Sequence, residues 1–374
     1  MTVRPPTDAE AITLLERLVA IDSPSSQEAA VAQAAVETMA GWGFDAHVDG
    51  AGNAVGMLGE GGRTVLLLGH IDTVSGHVPV RREGDVLYGR GAVDAKGPFA
   101  AFICAAARAG VLPDLRVQVV GAVEEEAATS AGAYHVVENH PPAHAVIIGE
   151  PSRWDRVTLG YKGRLLVDYF LARAMSHTAG QAEGVCETAV AYWLVVREWA
   201  DAYNRERMGA DAGADADAPA SAFGTLDPSL RAMRSDGDGL SEWVDMRLGL
   251  RLPLGLDIDA LEARLTGEWA GEAQVTLHGR EEPFRADKRN VLTSALLAAV
   301  RGEGGRARFV TKTGTSDMNV IGPRWGCPIV AYGPGDSAYD HTPDEQIELG
   351  EYLRAIRVLT DALQRLGQTL GRRG

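Results

Sequence analysis

Three short, largely apolar runs at residues 64–68, 116–123 and 145–148 limit what this chain can fold into more than any other feature. A strand with one wet face alternates apolar and polar side chains. These runs barely do, so they fit strands covered on both faces. Around them, apolar residues recur at helical spacing. Ile12, Leu15, Leu18 and Val19 mark a helix over 7–20, which Thr7 and Glu10 open with the spacing of a capping box. Similar patterns predict helices over 25–39, 99–109 and 130–138, with two short alternating strands at 44–48 and 53–58. Strands alternating with helices predict an α/β domain with a mostly parallel sheet.

The pattern changes after about residue 160. Leu165, Val167, Tyr169 and Leu171 alternate with other side chains, as on a sheet with one solvated face, and further alternating segments follow at 243–252 and 273–278. A long helix is expected over 184–203, and the Ala, Asp and Gly tract at 209–222 reads as a surface loop. From Asn290 the first style returns, with helices at 291–300 and 345–366 and strands at 307–311 and 329–332. The expected organisation is one α/β domain built from 1–160 and 281–374, interrupted by an inserted α+β domain at 161–280.

Among 374 residues, 36 basic against 51 acidic side chains leave a formal charge of −15. Such an excess argues against nucleic acid or an anionic membrane as partner, since both need a basic face. No apolar window approaches the length of a membrane span. Cys104, Cys186 and Cys327 are scattered and form no CxxC pair, which argues against a disulfide framework and fits a reducing, cytoplasmic setting.

Polar residues cluster where the apolar runs stop, the place where open α/β sheets build their sites. His70 and Asp72, two apart at a strand end, project to the same side, as a structural pair or as an oriented ligand. Asp94 lies in a glycine-rich crossing, either presented by that loop or capping the helix that follows. Glu124, Glu125 and Glu126 directly follow an apolar strand, where three carboxylates repel one another unless cations are present. An acidic helix start is the plainer reading of the triplet. Glu150 ends the third apolar run, and His341 precedes the last helix. Histidines and carboxylates without cysteine suit zinc, cobalt or manganese in a hydrolytic site.

The ordered motifs Gly69-His70-Ile71-Asp72, the Gly89 to Gly97 segment, the glutamate triplet, Gly149-Glu150-Pro151 and Asp340-His341 span nearly the whole chain and resemble those of the M20 metallopeptidases. The resemblance implies a catalytic domain at 1–160 and 281–374 and an inserted lid and dimerisation domain at 161–280. It implies two divalent ions per subunit, zinc with cobalt as the alternative, held by His70, Asp94, Glu126, Glu150 and His341, with Asp94 bridging. Asp72 would orient His70 and Glu125 would be the general base. The other register of the triplet would use Glu124 and Glu125. His177, in Ser176-His177-Thr178, would reach the partner's active site in a homodimer and stabilise the oxyanion.

Further segments, Tyr161-Lys162-Gly163-Arg164, Lys312 to Asn319 and Tyr332 to Ser337, are most similar to the branch of the family that frees lysine, or ornithine, from the C-terminal glutamate of the acidic carrier protein LysW in lysine biosynthesis through aminoadipate. In these segments Lys162, Arg164 and Lys312 are candidates for substrate carboxylates and Asp317 or Asp336 for a cationic side chain, with a surface or loop-capping role as the alternative for each. The alternative is a deacylase of free N-acetylornithine or succinyl-diaminopimelate. An acidic carrier meeting a chain of charge −15 would need a local basic entrance, for which Arg81, Arg82, Lys288, Arg289, Arg306 and Arg308 are candidates.

Overall fold

The three apolar runs are strands, and they lie side by side. The computed structural model describes residues 3–175, 183–211 and 222–371. The chain divides into two units, Met1–Gly160 with Arg285–Thr311 and Ser316–Gly374, and Tyr161–Phe284 with Lys312–Thr315. The first begins with α1 (Asp8–Val19), α2 (Ala29–Gly41), β1 (Asp45–Val48), β2 (Ala54–Leu58), β3 (Arg63–His70), β4 (Arg81–Glu83), β5 (Val86–Tyr88), α3 (Lys96–Ala109), β6 (Leu115–Ala122), α4 (Ala131–Asn139), β7 (Ala145–Gly149) and β8 (Arg156–Tyr161). The second holds β9 (Gly163–Ala174), α5 (Val185–Asp211), β10 (Asp227–Gly237), β11 (Ser241–Leu252), α6 (Ile258–Ala263) and β12 (Gln274–Glu281). The chain returns through β13 (Phe284–Arg285), α7 (Val291–Gly302), β14 (Arg308–Lys312), α8 (Asp317–Trp325), β15 (Ile329–Ala331), β16 (Gln346–Glu348) and α9 (Leu349–Gly371).

A nine-stranded sheet runs β1-β2-β6-β3-β7-β15-β8-β13, with β14 also paired to β8. Its centre, β6-β3-β7-β15, is parallel, and β1, β2 and β8 add antiparallel pairs, so the sheet is mixed. Antiparallel neighbours need no crossover helix, and the turn at 49–53 alone reverses the chain between β1 and β2. Thr7 and Glu10 form the capping box of α1. Leu15 and Leu18 from that helix, Phe99 and Phe102 from α3 and Leu359 from α9 are fully buried in one apolar core with Val65, Leu67 and Ile147 of the strands.

Three glycines, Gly121, Gly69 and Gly149, stand in register across β6, β3 and β7. A Cβ at Gly121 would lie 2.6 Å from Phe99 Cζ, and one at Gly149 2.8 Å from Phe102 Cε2. Their missing side chains let α3 settle onto the strand ends, and the loop that carries Asp94 runs directly into α3.

The second unit is an antiparallel sheet, β10-β11-β9-β12. Leu165, Val167, Tyr169 and Leu171 of β9 and Val244, Met246, Leu248 and Leu250 of β11 are buried with Tyr192 of α5 and Leu261 of α6. Phe170, on the opposite face, is 43% exposed. No alternation announces β10, whose side chains are exposed along nearly its whole length; backbone pairing with β11 holds it as an outer strand. Of the tract expected as a loop at 209–222, residues 209–211 close α5 and 212–221 lie outside the described residues. Among the described residues no helix is long and apolar enough to cross a membrane.

Candidate metal centre

Strand polarity gathers the acidic and histidine side chains at one edge of the first unit. His70 is the last residue of β3, Glu150 follows the last residue of β7, and Glu125 and Glu126 lie shortly beyond β6. These are three adjacent parallel strands, so their C-terminal ends open on the same side. Asp94 comes from the loop before α3 and His341 from the loop after β15. His70, Asp72, Asp94 and Glu150 are all buried.

The two carboxylate oxygens of Asp94 face different histidines. Oδ1 lies 3.2 Å from His70 Nε2, and Oδ2 lies 2.9 Å from His341 Nε2. The same His341 nitrogen is 2.8 Å from Glu126 Oε1, and Glu125 Oε2 is 4.0 Å from His70 Nε2. Ala95, which makes no side-chain cap bond, is the capping position of α3, so Asp94 is not spent on the helix. Glu124 turns elsewhere, accepting from Ser26 Oγ at 2.9 Å and Thr129 Oγ1 at 2.6 Å.

Asp72 ties the two strand ends together. Its carboxylate accepts from the backbone N–H groups of Glu125 and Glu126, both at 3.0 Å, and from Ser25 Oγ at 2.7 Å. His70 Nδ1 is 3.0 Å from the Asp72 carbonyl oxygen and 3.4 Å from Oδ1. A proton on Nδ1 therefore has an acceptor, which leaves Nε2 pointing at Asp94. The Asp94 loop has its own brace in Glu345, which is 1% exposed. Its Oε1 accepts from the N–H groups of Val93 and Asp94 at 3.2 Å, and its Oε2 accepts from Arg90 Nη1 at 2.7 Å.

Electrostatics expose the conflict in this cluster. Burial pushes the carboxyls of Glu125 and Glu150 well above the usual range, and neighbouring carboxylates push them further. Glu126 is raised by burial and by Asp94. Burial opposes the charged form of Asp94 as well, yet hydrogen bonds from His341 and His70 outweigh it and lower its pKa. Burial likewise works against a charged His70, but Asp72 and Asp94 raise it well above its ordinary value. Hydrogen bonds with Asp94 and Glu126 push His341 up to about 11. Without cations, protons hold these carboxylates together.

The donor set fits divalent metal. Ligand atoms of His70, Asp94 and Glu126 lie within 4.8 Å of one another. The shorter separations approach the spacing of about 3.3 Å between ligands of one tetrahedral ion with bonds near 2.0 to 2.1 Å.

Of the residues expected to meet substrate, Asp317 is the first residue of α8, is buried, and lies within electrostatic reach of Glu125 and Glu150. Lys162, Arg164 and Lys312 belong to the second unit. The Lys162 ammonium is buried there, donating to Thr225 O at 2.6 Å and paired with Asp227. Arg164 Nε donates to Gly279 O at 3.1 Å. Asp336 pairs with Arg153 and caps the turn Ser337–Tyr339. His177 lies outside the described residues. Of the basic candidates, Arg81 and Arg82 pair with Glu83 and Glu16. Lys288 and Arg289 line, with Arg365 and the half-exposed Phe309, an open cavity of about 830 Å³. The sequence did not single out Ser25 or Glu345. Ser25 is 47 positions from Asp72 and Glu345 is 251 from Asp94, and only the fold brings each to its partner.

Comparison with known proteins matches the family model of peptidase family M20/M25/M40 to residues 66–365. A LysW-lysine hydrolase of Deinococcus radiodurans is 45% identical over 367 residues, covering 97% of this chain and 99% of the relative. A putative LysW-lysine/LysW-ornithine hydrolase of Thermococcus kodakarensis is 35% identical, covering 96% of this chain and 92% of the relative. Among solved structures, an M20 family metallo-carboxypeptidase from Sulfolobus solfataricus has the same fold, with a TM-score of 0.79 at 19% identity over 96% of this chain and 99% of that one. The chain belongs to peptidase family M20/M25/M40.

Proposed function

We propose that this chain is a metal-dependent amide hydrolase that releases lysine, with ornithine as a second product, from the C-terminal glutamate of the carrier protein LysW. The observation that carries the hydrolytic reading is Asp94, whose two oxygens each face a different histidine, the arrangement a carboxylate shared by two ions requires. The likeness to the Deinococcus radiodurans enzyme supports the substrate.

His70, Asp94 and Glu150 would hold one ion, and Asp94, Glu126 and His341 the other; the histidine and carboxylate donors favour zinc, with cobalt as a substitute. When bound, the ions supply a water of lowered pKa and a polarised amide carbonyl. Asp72 fixes the His70 tautomer. Glu125, raised in proton affinity by burial and beside His70, takes the proton of the attacking water and returns it to the departing amino nitrogen. Arg164 and Lys312 are assigned to substrate carboxylates and Asp317 to the cationic side chain, whereas the Lys162 ammonium, buried and paired with Asp227, is given a structural role. Glu125→Gln is expected to lower kcat by about 10²- to 10⁴-fold while metal content stays at two per chain. Unchanged turnover in a metal-loaded sample would remove Glu125 from this role. In the same assay, alanine at Arg164 or Lys312 should raise KM more than it lowers kcat; equal kcat and KM in both would sink their assignment.

The second unit is the proposed lid and dimerisation domain. Exposed apolar side chains there, among them Phe170, Val190, Leu194 and Leu240, support an interface. Across that interface, His177 stabilises the oxyanion in the partner's site. Mixing His177→Ala with Glu125→Gln chains should restore activity that neither has alone, and no recovery after proven subunit exchange would refute the sharing. Free thiols at Cys104, Cys186 and Cys327, the second of them exposed, support a cytoplasmic setting.

A further inference from the structure

A second group of metal-ligating side chains lies outside the centre described above, between the edge of the large sheet and α4. Asp49 follows β1, His135 lies within α4, and His140 caps its C-terminus. Ligand atoms of the three, one from each, lie within 4.8 Å of one another, and Asp49 Oδ2 is 3.7 Å from His135 Nε2. All three are half-buried, neither sealed in the core nor free on the surface. His47 of β1, two residues before Asp49, is a fourth donor, close enough to act on the charge of His140.

The surroundings hold these donors in place. Asp49 Oδ1 accepts from the N–H groups of Ala51 and Asn53, both at 2.9 Å, and Oδ2 accepts from Asn53 Nδ2 at 2.9 Å. The remaining lone pair of Oδ2 is the one available to a ligand beside His135. Gln118, buried on β6, has its amide 2.9 Å from His140 Nδ1. An amide presents either oxygen or nitrogen after a flip, so Gln118 can accept from Nδ1–H and leave the other ring nitrogen with a lone pair. Gly50 lies against the His135 ring, where a Cβ would stand 3.4 Å from Cε1.

We propose that Asp49, His135 and His140, with His47 or water completing the set, form a separate binding site for a divalent transition metal such as zinc, which fastens the edge strand β1 to α4. Two or three imidazoles and one carboxylate suit zinc, nickel or copper and disfavour magnesium or calcium, which take oxygen ligands. Occupancy needs the donor atoms to close from within 4.8 Å to about 3.3 Å, a small rotation of half-buried side chains.

The test uses the full-length chain with its catalytic centre already zinc-loaded. Equilibrium dialysis against micromolar free zinc should give one more zinc per chain in the unaltered protein than in His135→Ala or His140→Ala. The zinc-dependent rise in unfolding midpoint should disappear in both variants, and their amide hydrolysis should stay unchanged. Equal zinc content and equal midpoint shifts in all three proteins would overturn the proposal. If a variant fails to fold, the unaltered chain still decides: zinc should shield His135 and His140 from carbethoxylation by diethylpyrocarbonate, read by peptide mass spectrometry. Equal modification with and without zinc would refute the site.

Discussion

His341 reaches the cluster from a loop, and its Nε2 is shared between Asp94 and Glu126. Those two carboxylates push its pKa up to about 11, so the metal-free chain carries this proton at neutral pH. A ligating histidine must give the proton up. Metal uptake is therefore expected to release protons at pH 7, and apparent affinity should rise with pH, because the competing proton is lost only as pH climbs toward the raised value. Calorimetric titration of zinc in buffers of different ionisation enthalpy measures the released protons. Affinity independent of pH between 6 and 8, with no proton release, would contradict the shared position of His341. The same proximity explains why Asp94 ionises in a buried site while Glu125 and Glu150 resist it: Asp94 touches both imidazoles, whereas burial and like charges dominate the other two.

Element by element, α3 brings one half of the site to the other. It lies on the glycines that end β6 and β7, and its own first turn follows Asp94. Gly149→Ala would force a methyl toward Phe102 and is expected to cost about 1 to 3 kcal/mol, measured as a drop in urea midpoint at constant slope. A variant as stable as the parent would show that α3 has room to lift. At this scale much was legible in the sequence. Continuous apolar runs signal strands covered on both faces, which is how β3, β6 and β7 are packed, and the residues that follow them form the cluster. What the sequence hid has a common cause. The outer strand β10 has no apolar period because both its faces are largely wet, and residues 346–348, expected within the last helix, pair as β16 with β5 instead. Ser25 and Glu345 are single polar residues whose partners are brought near only by the fold, so no local pattern marks them.

At the scale of the whole molecule, the charge of −15 has two meanings. Part of it is the carboxylate cluster, which two divalent ions would neutralise. Exposed carboxylates elsewhere would repel an acidic carrier at long range. Lys288 and Arg289, which line one open cavity with the Asp361-paired Arg365, are the candidate basic entrance for it. A carrier-linked substrate and a free acyl amino acid place different demands on this surface, because only the carrier needs a docking face. The most direct test of the proposed function is therefore a steady-state comparison, with zinc-loaded protein, of lysine release from LysW-lysine and deacylation of free N-acetylornithine and N-succinyl-diaminopimelate. A LysW-lysine hydrolase should release lysine from the conjugate with a far higher kcat/KM than it shows on either free substrate, and Glu125→Gln should slow that release by about 10²- to 10⁴-fold. Efficient turnover of the free acyl amino acids with no lysine released from the conjugate would contradict it.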